Sequence, residues 1–171
     1  MMDEGYVSPP CLWVFRDGRP LAQVVLRQVA VGEDAEDGIL QMGYLASAAS
    51  AAEVVAVWES QDVGRATGRS PDFPDPCLNV LWAGAADRRL HRFPYDAFGE
   101  VDRATGRVVQ AGWQWKEPLP PETVPLPPPS ISAMLQLCFT PLELPGDEDP
   151  FDVTDNYLRS EDYQVNLVKQ P

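Results

Sequence analysis

Residues 11–30 read CLWVFRDGRPLAQVVLRQVA, two apolar runs on either side of the dipeptide Asp17-Gly18. An Asp-Gly pair between such runs is a strong signal for a two-residue β-hairpin turn, because both residues tolerate a positive φ. Pro20 suits the first position of the second strand, where its missing N–H matters least. This stretch therefore predicts an antiparallel hairpin and, with it, a sheet.

Further apolar and β-branched runs continue along the chain between turn residues. We predict strands over 39–46, 53–59, 78–83 and 90–93, and a last hairpin over 98–101 and 108–115. For 47–60 a helix is the alternative, because Ser50 and Glu53 fit a capping box, but the β-branched run 54–58 favours the strand. Residues 32–38 are predicted to be an acidic turn, and 61–77 a loop rich in Gly, Pro and Asp.

The composition changes at Glu117, after which more than half of residues 118–129 are proline. Such a run favours an extended, polyproline-like chain. Beyond it Ile131, Met134, Leu135 and Cys138 are spaced to share one helical face, so we predict a short helix that ends before residue 141. The acidic remainder has little periodicity, apart from a predicted edge strand over 163–168.

These elements predict an α+β, β-dominated fold: an antiparallel sheet of about five to seven strands, a Pro-rich extended arm and one short C-terminal helix. We expect an antiparallel β-rich core over 1–115 and a Pro-rich connector over 116–130. Residues 131–171 are then a short helix and an acidic tail that pack on the core or on a partner. The expected core residues are Trp13, Phe15, Val25, Leu40, Met42, Val55, Val57, Val80, Leu81 and Leu135.

Charge is the outstanding bulk property, with 26 acidic against 13 basic residues and a net charge of −13. A field of this sign repels nucleic acid and anionic membranes, and it favours a basic protein partner. The simpler alternative is that the charge only keeps the protein soluble. The arginines Arg88, Arg89 and Arg92 beside Phe93 are expected to form internal salt bridges rather than a nucleic-acid site.

No recognised catalytic motif occurs in the sequence, so we predict no catalytic residues and no enzyme. The single histidine, His91, is expected to be structural, because no nucleophile accompanies it in the sequence. Cys11, Cys77 and Cys138 stand far apart, which disfavours both a disulfide framework and a zinc site. The acidic stretch 147–156 lacks the central Gly and closing Glu of a calcium loop. We therefore expect no metal and no cofactor.

Location and origin are read from composition. No apolar run reaches the roughly 18 residues that span a bilayer, and the acidic N-terminal residues do not resemble a signal peptide. We therefore expect a cytoplasmic protein, or one inside a particle assembled in the cytoplasm. Eleven arginines against two lysines, with abundant Ala, Gly and Pro, favour a bacterial or phage origin.

Acidity without catalytic motifs favours an acidic binding protein, namely a cytosolic inhibitor or immunity-type protein that covers a basic toxin or enzyme. One alternative is a structural or accessory component of a phage particle or other multiprotein assembly, in which the Pro-rich arm is exchanged between copies. The other is an enzyme whose site is dispersed over loops. The predicted contact residues are the acidic and aromatic side chains Glu33, Asp34, Glu36, Asp37, Trp113, Trp115, Asp147, Glu148, Asp149, Asp152, Asp155 and Tyr157.

Overall fold

The fold is built on one antiparallel sheet of seven strands. A computed structural model describes residues 9–101, 108–121, 127–142 and 147–169. The strand order is β6-β5-β4-β3-β1-β2-β7, and the α+β, β-dominated prediction is confirmed. The strands are β1 Cys11–Arg16, β2 Arg19–Val25, β3 Glu53–Glu59, β4 Cys77–Gly84, β5 Arg88–Val101, β6 Val108–Trp115 and β7 Gln164–Leu167.

The described helices all lie on one side of this sheet. Each contributes buried side chains to the single core cluster that also contains Leu12 and Val14 of β1. The molecule is therefore a sheet with one helical layer. The helices are α1 Glu33–Gln41, α2 Gly43–Ala48, α3 Ser60–Thr67, α4 Pro129–Cys138 and α5 Pro150–Ser160.

The hairpin predicted from Asp17-Gly18 is confirmed. Both residues have a positive φ, 53° and 69°, as a two-residue turn between twisted antiparallel strands requires. Strands β1 and β2 pair on either side of this turn, with one register irregularity between Val14 and Phe15. The predicted strands over 53–59 and 78–83, the last hairpin and the edge strand near 163–168 are also present.

The strand predicted over 39–46 is wrong, because this segment belongs to α1 and α2. Ala35, Ile39, Met42 and Ala46 recur at helical spacing and are all buried. The last three belong to the core cluster. The acidic turn predicted over 32–38 is likewise wrong, since these residues form the beginning of α1. Three carboxylates in its first turn suit the positive end of the helix dipole.

The loop predicted over 61–77 contains α3, which has a well-defined cap at each end. The carboxylate of Glu59 accepts a hydrogen bond from the backbone N–H of Asp62 at 2.7 Å. It also accepts one from the backbone N–H of Cys77 at 2.9 Å. Gly68 ends the helix with φ 67°. Glu59 is only 2% exposed, so it connects the helix start to strand β4 from inside the protein.

The acidic tail also contains a helix that periodicity did not indicate. Helix α5 begins after Asp149, whose side chain accepts from the Phe151 N–H at 2.9 Å, and Pro150 occupies the first helical position. It packs on α2 and β7. Leu158 anchors it in the core.

The predicted helix after the Pro-rich connector is confirmed as α4. It packs against α1 and α2. The described part of the connector continues along the outer edge of β5, where the Lys116 and Leu119 N–H groups donate to the carbonyls of Pro94 and Arg92 at 2.9 and 3.0 Å. Prolines in this stretch leave few donors for another strand, which protects the edge from further pairing.

The core lies between the sheet and the helices, and only part of it was predicted. Met42, Leu81 and Leu135 are buried there as expected, whereas Leu40 is partly exposed on α1. Six other predictions were wrong, because side chains alternate along a strand and these point to the face without helices. They are Trp13, Phe15, Val25, Val55, Val57 and Val80, all partly exposed. No helix in the described ranges is long and apolar enough to cross a membrane.

Candidate protein-binding surfaces

The side of the sheet opposite the helices carries an apolar row that crosses four strands. Strand pairing places Val25 beside Cys11, Cys11 beside Val57, and Val57 beside Val80. The row ends at His91 on β5. The valines are partly exposed and Cys11 is 7% exposed.

A second row lies next to the first and contains two tryptophans. Trp13 of β1 pairs with Val55 of β3, which pairs in turn with Trp82 of β4. All three side chains are partly exposed. We call these two rows together the open face. None of their members belongs to the core cluster that the described helices cover.

Polar side chains border the open face at both edges. On the β2–β7 side, the Asn166 amide donates to the Gln23 side-chain oxygen at 3.1 Å, and Gln164 donates to Asn166 at 3.3 Å. On the β5 side, the second row continues to Arg89, which is exposed. An apolar centre with a polar rim is the usual organisation of a protein–protein interface.

Carboxylates, by contrast, are concentrated on the helical layer, where some have internal partners. Asp34 of α1 accepts from Arg27 and from the Ala30 N–H, and the Arg27 hydrogen bond lowers the pKa of Asp34. Glu36 forms an ion pair with Arg69, whose hydrogen bond lowers the Glu36 pKa. Of the four predicted contact residues in α1, only Glu33 and Asp37 are fully exposed; they are the two available to a partner.

The second predicted acidic set lies on helix α5 and in the residues just before it, and its members also have different roles. Asp149 caps the helix, and Asp155 is engaged by Arg159 of the same helix at 2.8 Å. Asp147, Glu148 and Asp152 are exposed, and no hydrogen bond or ion pair is found for them among the described residues. These three carboxylates are therefore the ones free to meet a cationic partner.

A notch of about 300 Å³ lies between α2 and α5 and is lined mainly by apolar groups. Tyr157 of α5, 40% exposed, packs edge-on against Tyr44 of α2 with ring centroids 6.2 Å apart. Burial, and after it the charge of the nearby Glu161, raises the pKa of Tyr157, so a carboxylate lies close to the notch. Leu142, Val153 and Thr154 complete the lining.

The predicted aromatic contact residues lie elsewhere and do not join this acidic set. Trp113 and Trp115 are on β6, at one end of the strand order, whereas α5 packs on β7 at the other end. Six strand spacings of about 4.8 Å separate the two ends by roughly 29 Å. Trp115, 45% exposed, packs edge-on against Tyr95 with ring centroids 5.5 Å apart.

The described residues do not combine His91 with a cysteine nucleophile. Cys11 and His91 share a row but stand three strand spacings apart, roughly 14 Å. Burial raises the pKa of the Cys77 thiol to about 11 and that of Cys138 to about 12, the opposite of an activated thiolate. Within the described ranges, no three His, Cys, Asp or Glu side chains group as metal ligands.

No family model, curated protein or solved structure matches this chain. The surfaces are therefore interpreted from their own chemistry.

Proposed function

We propose that this protein is an acidic binding protein of the inhibitor or immunity type that covers a basic protein in the cytoplasm. The observation that carries the proposal is the α2–α5 notch, an apolar recess lined in part by α5, the helix that also carries the exposed carboxylate Asp152. Binding energy in protein interfaces concentrates in buried anchors, and tyrosine is among the residues that most often provide them.

The notch supplies the anchor and the surrounding charge supplies the attraction. An apolar side chain of the partner fills the space beside Tyr44 and Tyr157. Lysine or arginine side chains elsewhere on the partner's contact surface meet the exposed carboxylates Asp147, Glu148 and Asp152. The net charge of −13 steers a cationic partner from a distance, which speeds encounter and makes it sensitive to salt.

The test begins with capture of partners from the native cell by the tagged full-length chain, followed by calorimetry with the purified partner. We expect a basic protein that is released as salt is raised, because salt screens exposed charges. The triple variant Asp147→Asn, Glu148→Gln, Asp152→Asn should weaken binding by about 3- to 100-fold, since rim charges contribute about 0.2–1 kcal/mol each. Tyr157→Ala should weaken it further, because the anchor is lost.

A matched triple variant separates a local contact from bulk charge. Asp75→Asn, Asp87→Asn and Glu117→Gln remove the same number of exposed carboxylates outside α5. We expect this variant to bind nearly as wild type. Equal losses in both triple variants, or a captured partner that is not basic, would refute the proposal.

A further inference from the structure

We propose that the open face binds a second copy of this chain, so that two sheets pack face to face in a homodimer. The inference concerns the side of the molecule opposite the α2–α5 notch and does not depend on the proposed function. It rests on the chemistry of the face, its size and its self-complementarity.

The chemistry of the open face differs from that of the rest of the molecule. The chain has 26 acidic residues, yet the centres of the two rows, Val25 to Val80 and Trp13 to Trp82, carry only apolar side chains and one thiol. His91, Gln23 and Arg89 lie at the ends of the rows, and Glu53 stands in the next row, beside Phe15. An antiparallel sheet with one solvated face normally alternates apolar and polar residues. Here Trp13, Val55 and Trp82 stand where polar residues are expected. Such a pattern is typical of a sheet that is covered on both sides.

The size of the face matches a modest interface. The five strands β2, β1, β3, β4 and β5, at about 4.8 Å spacing and over about seven residues at about 3.4 Å, have a projected area of roughly 500 Å². The two rows occupy about half of this area, and the neighbouring row with Phe15 and Glu53 belongs to the remainder. Side-chain relief and the polar rim increase the contact area towards the roughly 800 Å² per partner of a standard complex. Two central tryptophans are the residues expected to dominate its energy.

The β5 edge of the open face complements the β2–β7 edge, whereas the β5 edge does not complement a copy of itself. A two-fold axis parallel to the strands, between β1 and β3, places the β5 edge of one copy over the β2–β7 edge of the other. Arg89 then meets the neutral amides of Gln23 and Asn166, whose oxygens can accept its hydrogen bonds. The perpendicular axis would instead stack Arg89 on Arg89. The parallel axis also brings β1 over β3, which is the aligned packing of a β-sandwich.

The test is sedimentation velocity of the full chain over a roughly 100-fold range of concentration. We expect a monomer–dimer equilibrium that Val57→Glu weakens by about 100-fold or more, because it buries a carboxylate near the two-fold axis. Val31→Glu is the matched control, since Val31 is 72% exposed and lies off the open face. Mixing Val57→Glu with Val57→Lys should restore a dimer, which a merely misfolded variant cannot do.

A measurement on the wild type alone avoids any dependence on variant folding. Hydroxyl-radical labelling of Trp13 and Trp82 should fall as concentration rises, while labelling of the exposed Trp115 stays constant. A wild type that remains monomeric with constant labelling overturns the proposal. If removing residues 2–8 then makes the chain dimerise, the N-terminal segment is the occupant of the face. Undiminished dimerisation of the Val57→Glu variant would also overturn the proposal of a homodimer.

Discussion

At the scale of single residues, Glu59 shows how a buried carboxyl group can have a structural role. Its carboxylate accepts the N–H groups of Asp62 and Cys77, joining α3 to β4. We expect Glu59→Ala to lower the free energy of unfolding by about 1–3 kcal/mol, because two backbone N–H donors, the buried one of Cys77 and the part-buried one of Asp62, lose their acceptor. The free energy of unfolding of Glu59→Gln should lie between those of the wild type and Glu59→Ala, since the glutamine amide keeps one acceptor oxygen. Urea denaturation measures this; Glu33→Ala, at an exposed site, should change stability by less than about 0.5 kcal/mol.

Gly43 is a second residue whose role depends on a close approach. A Cβ at this position would lie 2.8 Å from the backbone carbonyl of Met134 in α4. We expect Gly43→Ala to cost about 1–3 kcal/mol, because the α2–α4 contact must open. At Gly84 the nearest atom is 3.8 Å away, so Gly84→Ala should remain within about 1 kcal/mol of wild type. Equal thermal shifts in the two variants would contradict this explanation.

The sequence indicated which residues are acidic but not which of them are free. Asp34, Glu36, Asp149 and Asp155 each have an internal partner, and each partner comes from the folded arrangement of the chain. Local sequence carried a signal for Asp149, which precedes a proline at a helix start, and for Asp155, which lies four residues before Arg159. The predicted contact set therefore mixed structural carboxylates with available ones.

At the scale of elements, α1 is held to its surroundings by two ion pairs. The pKa of Asp34 is lowered in the folded state, so its contribution to stability is present at neutral pH and disappears as pH falls through that lowered value. Asp34→Asn should therefore be less stable than wild type at pH 7, with the difference shrinking below about pH 4. Thermal melts of the wild type and the Asp34→Asn variant at pH 7 and below about pH 4 test this expectation. A difference that does not depend on pH, or an equal effect of Asp37→Asn, would contradict it.

The strands were predicted better than the helices, for physical reasons. The Asp17-Gly18 turn and the alternation in β3 and β4 are local signals, and the turn and strands predicted from them are present in the structure. In 39–46 the apolar residues fit both periodicities, and packing against α4 decides for a helix. Helix α3 begins at Ser60 and is capped by Glu59, a residue type outside the usual capping set, so its start was not apparent from the sequence.

At the scale of the whole molecule, the sequence could not say which face of the sheet the helices cover. Both faces are apolar along β1 and β3, so Leu12 and Trp13 looked equally suited to the core. Which row is buried depends on where α1, α2 and α4 pack, a long-range outcome. The resulting molecule has an acidic helical layer on one side and the open face on the other.

The two sides should respond to salt in opposite directions. A basic partner on the helical layer is released by salt. Two copies of −13 each, −26 together, repel one another, so screening should strengthen contact through the open face. The opposite responses to salt therefore separate the two proposals within one salt titration.

The most direct measurement is therefore the light-scattering mass of the purified chain as NaCl is raised from about 10 mM to about 500 mM, where the Debye length becomes short. The monomer mass is 18.9 kDa, so two copies give 2 × 18.9 = 37.8 kDa. We predict a mass that rises towards the dimer value with salt in the wild type and stays at the monomer value in Val57→Glu. A wild-type mass of one chain at every salt concentration would contradict the assignment of the open face to a second copy.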